Sequence, residues 1–95
     1  MDVTVLEDPA AHRYEAVDST GEVAGFVQYV DRRGSRVLFH TEVADNLEGQ
    51  GIGSTLAREA LDRAIAGELP VRVTCPFLTE WIERHPDYRD KVTLG

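Results

Sequence analysis

The segment Asn46–Ser54, reading NLEGQGIGS, sets glycine at 49, 51 and 53, and a helical pattern, LAREALDRAI, follows at once. Glycine weakens helices and strands through its conformational freedom, so three at alternate positions demand a reason. Either the chain turns sharply there, with close strand–helix packing, or its backbone must approach something that side chains would hold away. A helix start carries unpaired N–H groups and a partial positive charge. Glycines opening onto such a start can cradle a phosphate or pyrophosphate.

What flanks the loop limits the fold. Upstream the period is that of strands. Val3-Thr4-Val5-Leu6 is short and β-prone, and His12–Asp18 sets Tyr14, Ala16 and Asp18 on one face. The turn signal STGE then leads into Glu22–Val30, forming a hairpin, and DRRGS leads into Arg36–Val43. Downstream the period changes: Leu56, Ala57, Ala60, Leu61, Ala64 and Ile65 recur at helical spacing, with Arg58, Glu59, Asp62 and Arg63 turned outward and Gly67 as C-cap. Val71–Cys75 reads as a short strand, and Pro76 occupies the first turn of a second helix, Phe77–Arg84, that Pro86 ends. The tail PDYRDKVTLG is too short to assign. The order is ββββαβα, a mixed α/β (α+β) class. It begins as an antiparallel meander, and its strand–helix–strand crossover favours parallel pairing.

Ninety-five residues, 42% hydrophobic and 28% charged, suit one globular domain over residues 1–95. A formal net charge of −7 argues against nucleic acid as partner, since phosphate neutralisation needs a basic surface. It favours a cationic substrate, although such a charge ordinarily serves solubility. No apolar run is long enough to cross a membrane, and the acidic start MDVTVLEDP lacks the layout of a signal peptide. The single cysteine, Cys75, excludes an internal disulfide and fits a reducing, cytoplasmic setting. Nothing in the sequence indicates a metal site or an oligomeric state.

Two familiar phosphate motifs do not fit. The nucleoside-triphosphatase loop needs a lysine before its serine, and here Gly53 precedes Ser54; the dinucleotide fingerprint needs a third glycine where Ser54 or Leu56 stands. EGQGIGSTL instead resembles the acyl-CoA pyrophosphate loop of the GNAT superfamily of N-acetyltransferases, Gln/Arg-x-x-Gly-x-Gly/Ala, with Glu48 at its first position and Gly51 and Gly53 matching its glycines. His40-Thr41-Glu42-Val43, the glycine loop, Cys75-Pro76-Phe77 and His85-Pro86-x-Tyr88 together resemble the compact, single-domain branch of that superfamily, over about Val3 to Val92. The resemblance implies a curved mixed sheet whose fourth and fifth strands splay apart. It implies acetyl-CoA or CoA as co-substrate, with the pantetheine arm in the splay near Val43, Pro76 and Phe77. The pyrophosphate would rest on the loop and helix start, Gly49, Gln50, Gly51, Ile52, Gly53 and Ser54, with Arg58 one turn further reaching a CoA phosphate. It implies an amine acceptor whose identity the sequence does not name.

Acetyl transfer needs a neutral amine, a polarised thioester carbonyl and a proton for the departing thiolate. Strict alternation along RVLFHTEV puts Val37, Phe39, Thr41 and Val43 on one face and Leu38, His40 and Glu42 on the other. His40 and Glu42 are then two strand rises apart, about 7 Å, and either can deprotonate an ammonium; the plain alternative is a surface polar pair. Cys75, next to a helix start, is an acyl acceptor, an acid for the thiolate, or a packed small residue. The superfamily's usual acid is a tyrosine on the helix after the fifth strand; Ile82 stands in that place, and Tyr88 or Cys75 would have to substitute. Trp81 reads as core or pocket wall, and His85 as a cap of the last helical turn. The rival reading is a non-catalytic acyl-CoA-binding module or accessory protein.

Overall fold

The computed structural model describes residues 2–44 and 51–95. Within them run β1 (Thr4–Asp8), β2 (Arg13–Val17), β3 (Val23–Arg32), β4 (Ser35–Val43), α1 (Ile52–Ile65), β5 (Val71–Val73), α2 (Pro76–Arg84), a 3-10 helix (Pro86–Lys91) and β6 (Thr93–Leu94). The strands form one sheet in chain order, antiparallel from β1 to β4 and parallel from β4 through β5 to β6. The expected mixed architecture is therefore present. The 3-10 helix and the edge strand β6 are additions that the tail's sequence did not suggest.

Tight turns make the meander. Arg33 (φ 52) and Gly34 (φ 78) are the two central residues of the β3–β4 turn, between paired Arg32 and Ser35. Two left-handed residues twist a hairpin in the hand that its strands need. At the same end Arg36 grips Asp31 through Nε and Nη2 and donates Nη1 to the Tyr14 hydroxyl, 2.9 Å away.

Both helices pack on one face of the sheet. α1 buries Ile52, Leu56, Ala57, Ala60, Leu61 and Ala64, and α2 buries Leu78, Trp81 and Ile82. They meet Tyr14, Ala16, Val27, Leu38 and Val73 of the sheet, each 1% exposed or less. Alanines at the contact let α1 lie close, and Gly25 lets it lie closer: a Cβ there would stand 3.3 Å from Leu56 Cδ2 and 2.7 Å from the Glu42 carbonyl oxygen. The C-cap of α1 is Ala66, in right-handed conformation, rather than Gly67, whose amide donates to the Ala64 carbonyl at 3.1 Å.

The β4 side chains depart from strict alternation. The β3–β4 register steps from Gln28↔His40 to Tyr29↔Leu38, so Phe39 is an extra residue, a β-bulge. One inserted residue reverses the parity beyond it. Leu38 is buried, yet His40 and Glu42, expected beside it, are exposed, while Thr41 and Val43 are partly buried and Phe39 is exposed. His40, Glu42, Phe26 and Arg13 thus belong to the face opposite the helices, where Gln28 pairs with His40 and Phe26 with Glu42.

Candidate functional site

The site begins where β4 and β5 part. Their parallel ladder covers Arg36–Leu38 and Val71–Val73 and then stops. Both Thr74 and Cys75 amides turn back to donate to the Leu38 carbonyl, at 3.0 and 3.3 Å, while β4 runs on to Val43. Pro76 explains the stop: it has no N–H to extend a ladder, and its fixed φ suits the first turn of α2, which Cys75 caps. The splay expected between the fourth and fifth strands is this opening.

The start of α1 faces that opening. Gly51 is its N-cap at φ 77, a left-handed conformation that L side chains rarely adopt. The cap has no side-chain hydrogen bond and the first turn carries no acid. The first intrahelical bond to the cap runs from the Thr55 amide to the Gly51 carbonyl, 3.1 Å, so the amides of Ile52, Gly53 and Ser54 have no intrahelical acceptor. Gly53 has a different reason for being glycine: a Cβ there would come 3.1 Å from Phe77 Cζ and 3.8 Å from Val43 Cγ2. Phe77, 38% exposed, is therefore the lip between the start of α1 and the end of β4. Glu48, Gly49 and Gln50 lie outside the described residues. Arg58 is exposed, one turn into α1, its Nε 3.7 Å from Glu59.

Cys75 lies at the root of the opening, 3% exposed. Its Sγ is 3.3 Å from the Thr41 hydroxyl, a contact that exists because the bulge at Phe39 turns Thr41 towards the helices. Strict alternation hid this pairing. The signal that could have revealed it is the spacing of Leu38 and Val43, two apolar residues at odd separation that a regular strand cannot bury on one face.

His40 Nε2 and Glu42 Oε1 are 3.1 Å apart, with side chains 49% and 62% exposed, on the open face of the sheet. Tyr88 is held elsewhere. Its hydroxyl donates to Asp62 Oδ1 at 2.7 Å, and burial together with that carboxylate pushes its pKa up to about 12. Asp62 lies eight residues beyond Ser54, about 12 Å along the helix. The His-Pro-x-Tyr motif instead builds a brace: His85 stacks on Trp81 with centroids 3.9 Å apart, and Tyr88 meets the same ring edge-on at 5.0 Å. Trp81 Nε1 then donates to Ser54 Oγ at 3.0 Å, tying α2 to the first turn of α1. Trp81 is buried in the core, as the sequence suggested; its bond to Ser54 is what the sequence did not disclose.

A pocket of about 670 Å³ adjoins the end of β4 and is lined by Arg13, Val23, Phe26, Glu42, Val43 and Ala44 among others. No group of three or more metal-ligating side chains occurs among the described residues, and no helix there is long and apolar enough to cross a membrane.

Comparison with known proteins bears on what this arrangement is. The sequence model of the GCN5-related N-acetyl-transferase family matches residues 13–91. Protein NATD1 of Bos taurus is 39% identical over 49 residues, which are 52% of this chain and 43% of that protein. Protein NATD1 of Homo sapiens is 37% identical over 49 residues, with 52% and 43% covered. The match thus spans less than half the length of these curated relatives. A GCN5-like protein from Staphylococcus aureus, solved in solution by NMR, superposes with a TM-score of 0.66 at 22% identity, covering 97% of this chain and 88% of that one. That likeness is one of fold. The family match takes in most of the chain, and with the splayed strands and the glycine-capped helix it places this protein in the GCN5-related N-acetyltransferase family.

Proposed function

We propose that the protein binds acetyl-CoA and transfers its acetyl group to a primary amine. The observation that carries this reading is a coincidence of two openings. The gap where β4 leaves β5 lies beside an α1 start that has a left-handed glycine cap, no side-chain cap and no acid in its first turn. An anion fits the amides of Ile52, Gly53 and Ser54, which have no intrahelical acceptor. An extended arm fits along the side of β4 that β5 has left, near Val43, under the Phe77 lip, with Pro76 at its edge. Arg58, exposed on α1, is the cation this reading assigns to a CoA phosphate.

Acetyl-CoA supplies an activated thioester. The chain's own contribution is to hold it and to manage protons. Glu42, with His40 bonded to it, takes a proton from the acceptor ammonium, directly or through water. The amine nitrogen bonds to the acetyl carbon, the carbon–sulfur bond breaks, and the thiolate takes up a proton. Cys75 and Thr41, at the root of the opening, are the hydrogen-bonding groups placed to deliver that proton. Tyr88 would do so only after leaving Asp62.

One observation favours the rival reading, a non-catalytic acyl-CoA-binding module. Ile82 has a hydrocarbon side chain with no proton to give, and the Tyr88 hydroxyl is bonded to Asp62, so neither offers a free hydroxyl acid. Two measurements decide. Calorimetric titration with acetyl-CoA is expected to show saturable binding that Gly51→Val abolishes, because valine at φ 77 misdirects the cap. An absence of binding at millimolar ligand would refute the proposal. With binding present, acetylation of an amine panel that falls at least about tenfold in Glu42→Gln supports transfer. No product above the blank would leave the binding module.

A further inference from the structure

We infer that the pocket at the end of β4, whose two charged side chains stand on the open face of the sheet, receives the acceptor, and that the acceptor is an amine which also carries a carboxylate. This deepens the acetyl-transfer reading and rests on it. Two charged side chains line the pocket, Arg13 and Glu42, and they have opposite signs. They are set apart by a wall. Phe26 pairs with Glu42 across β3 and β4, and the Arg13 guanidinium lies over the Phe26 ring, 4.6 Å from its centroid. Glu15 fixes this pose by accepting from Arg13 Nε at 2.6 Å. Only one donor of the guanidinium is used in that bond; among the described residues the two Nη nitrogens have no partner. They form the fork that recognises a carboxylate through two parallel bonds.

Glu42 marks the other end. It borders the pocket and lies on β4 next to Val43, where that strand has left β5. An ammonium beside Glu42 is therefore at the edge of the opening assigned to the thioester, on the side of the sheet away from the helices. A ligand with its ammonium at Glu42 and its carboxylate at Arg13 satisfies both charges. A simple alkylamine leaves the guanidinium with its Nε bond to Glu15 and both Nη nitrogens unused, and a diamine sets a second cation against it. Val23, 43% exposed, and the Phe26 ring give the connecting carbons an apolar wall. The net charge of the chain favours cations in general, so the carboxylate requirement comes from Arg13 alone.

The test uses the full chain, with and without saturating CoA, titrated with norvaline, δ-aminovalerate, pentylamine and valerate. Amide NMR and calorimetry are the readouts. At least one of the two aminocarboxylates is expected to bind about fivefold tighter than pentylamine and valerate, the scale of a partly exposed ion pair. It should move the Val23, Phe26 and Glu42 amides, and Arg13→Gln should erase the preference while leaving acetyl-CoA affinity unchanged. The inference is overturned if pentylamine binds as tightly as both aminocarboxylates, if neither of these binds, if the shifts fall elsewhere, or if Arg13→Gln keeps the preference. The wild-type ranking decides even if that variant is unstable. An acetyl-CoA titration of the same sample reads the underlying proposal separately, since Arg13, from which the carboxylate preference comes, is not among the residues proposed to hold acetyl-CoA.

Discussion

Replacing Gly25 with alanine should destabilise the protein and disturb its site together. A Cβ at this position would lie 2.7 Å from the Glu42 carbonyl oxygen, about 0.7 Å short of the 3.4 Å at which ordinary contact begins. The obstacle is backbone, so no rotamer change relieves it. β4 would have to move, and it is held here by the Gly25↔Val43 register and by the Ala44 amide, which donates to the Ala24 carbonyl at 2.9 Å. Overpacking of this kind costs about 1–3 kcal/mol. Lost freedom of the unfolded chain returns about 0.4–1 kcal/mol. The net expectation is a loss of about 1–2 kcal/mol, seen as a urea midpoint lowered by about 1 M with unchanged slope. Circular dichroism during urea unfolding measures it. A Gly25→Ala variant as stable as the wild type would refute the argument that close packing, and not chance, sets this glycine.

Gly53→Ala should behave differently, because its nearest obstacle, 3.1 Å away, is the tip of the half-exposed Phe77 ring, which can swing. Its melting temperature should hold or rise, given the helix propensity gain of up to about 1 kcal/mol, while acetyl-CoA affinity falls; unchanged affinity would remove Phe77 and Gly53 from the site. Arg33→Asn should stabilise by about 0.5 kcal/mol, since asparagine tolerates the left-handed φ of 52 at this turn better than arginine, and a thermal melt checks it. Tyr88→Phe tests the raised phenol. A tyrosine whose folded pKa is about 12 against 10.0 stabilises the fold below pH 10 and loses that contribution as pH rises through 12. The variant's unfolding free energy should therefore fall less steeply than the wild type's between those limits; equal slopes would mean that Asp62 does not hold this hydroxyl.

These contrasts show which features the sequence carried. The helical period from Leu56 to Ala64 matches the face that α1 buries, because burial against a sheet leaves its mark on every turn. The start of α1 was harder to read. It lies at Ile52, ahead of the LAREALDRAI pattern, since the cap is a left-handed glycine and the Ser54 hydroxyl oxygen accepts from Trp81 Nε1. β6 has two residues and is held by distant partners, the Gly95 amide donating to the Val73 carbonyl and Arg72 Nη1 to the Gly95 carbonyl. Such an element has no local period to read. The aromatic brace joins Trp81 to Ser54 across 27 positions, and a linear scan cannot see a bond of that span.

The bulge at Phe39 shows why a local irregularity can matter more to a site than the regular strand around it. Without it, the parity of Leu38 would carry His40 and Glu42 under the helices, where two ionisable groups would meet an apolar core and no partner. It would also carry Thr41 and Val43 away from Cys75 and Phe77. One extra residue in β4 resolves both conflicts. It keeps the apolar and hydroxyl positions on the side of the α1 start and hands the titratable pair to the open face, beside the pocket that Arg13 enters. The two sides of the sheet thereby acquire different chemistry along five residues of a single strand, and the proposed function uses one for the anionic donor and the other for its acceptor. On that reading, the single bulge aims one strand at both proposed sites.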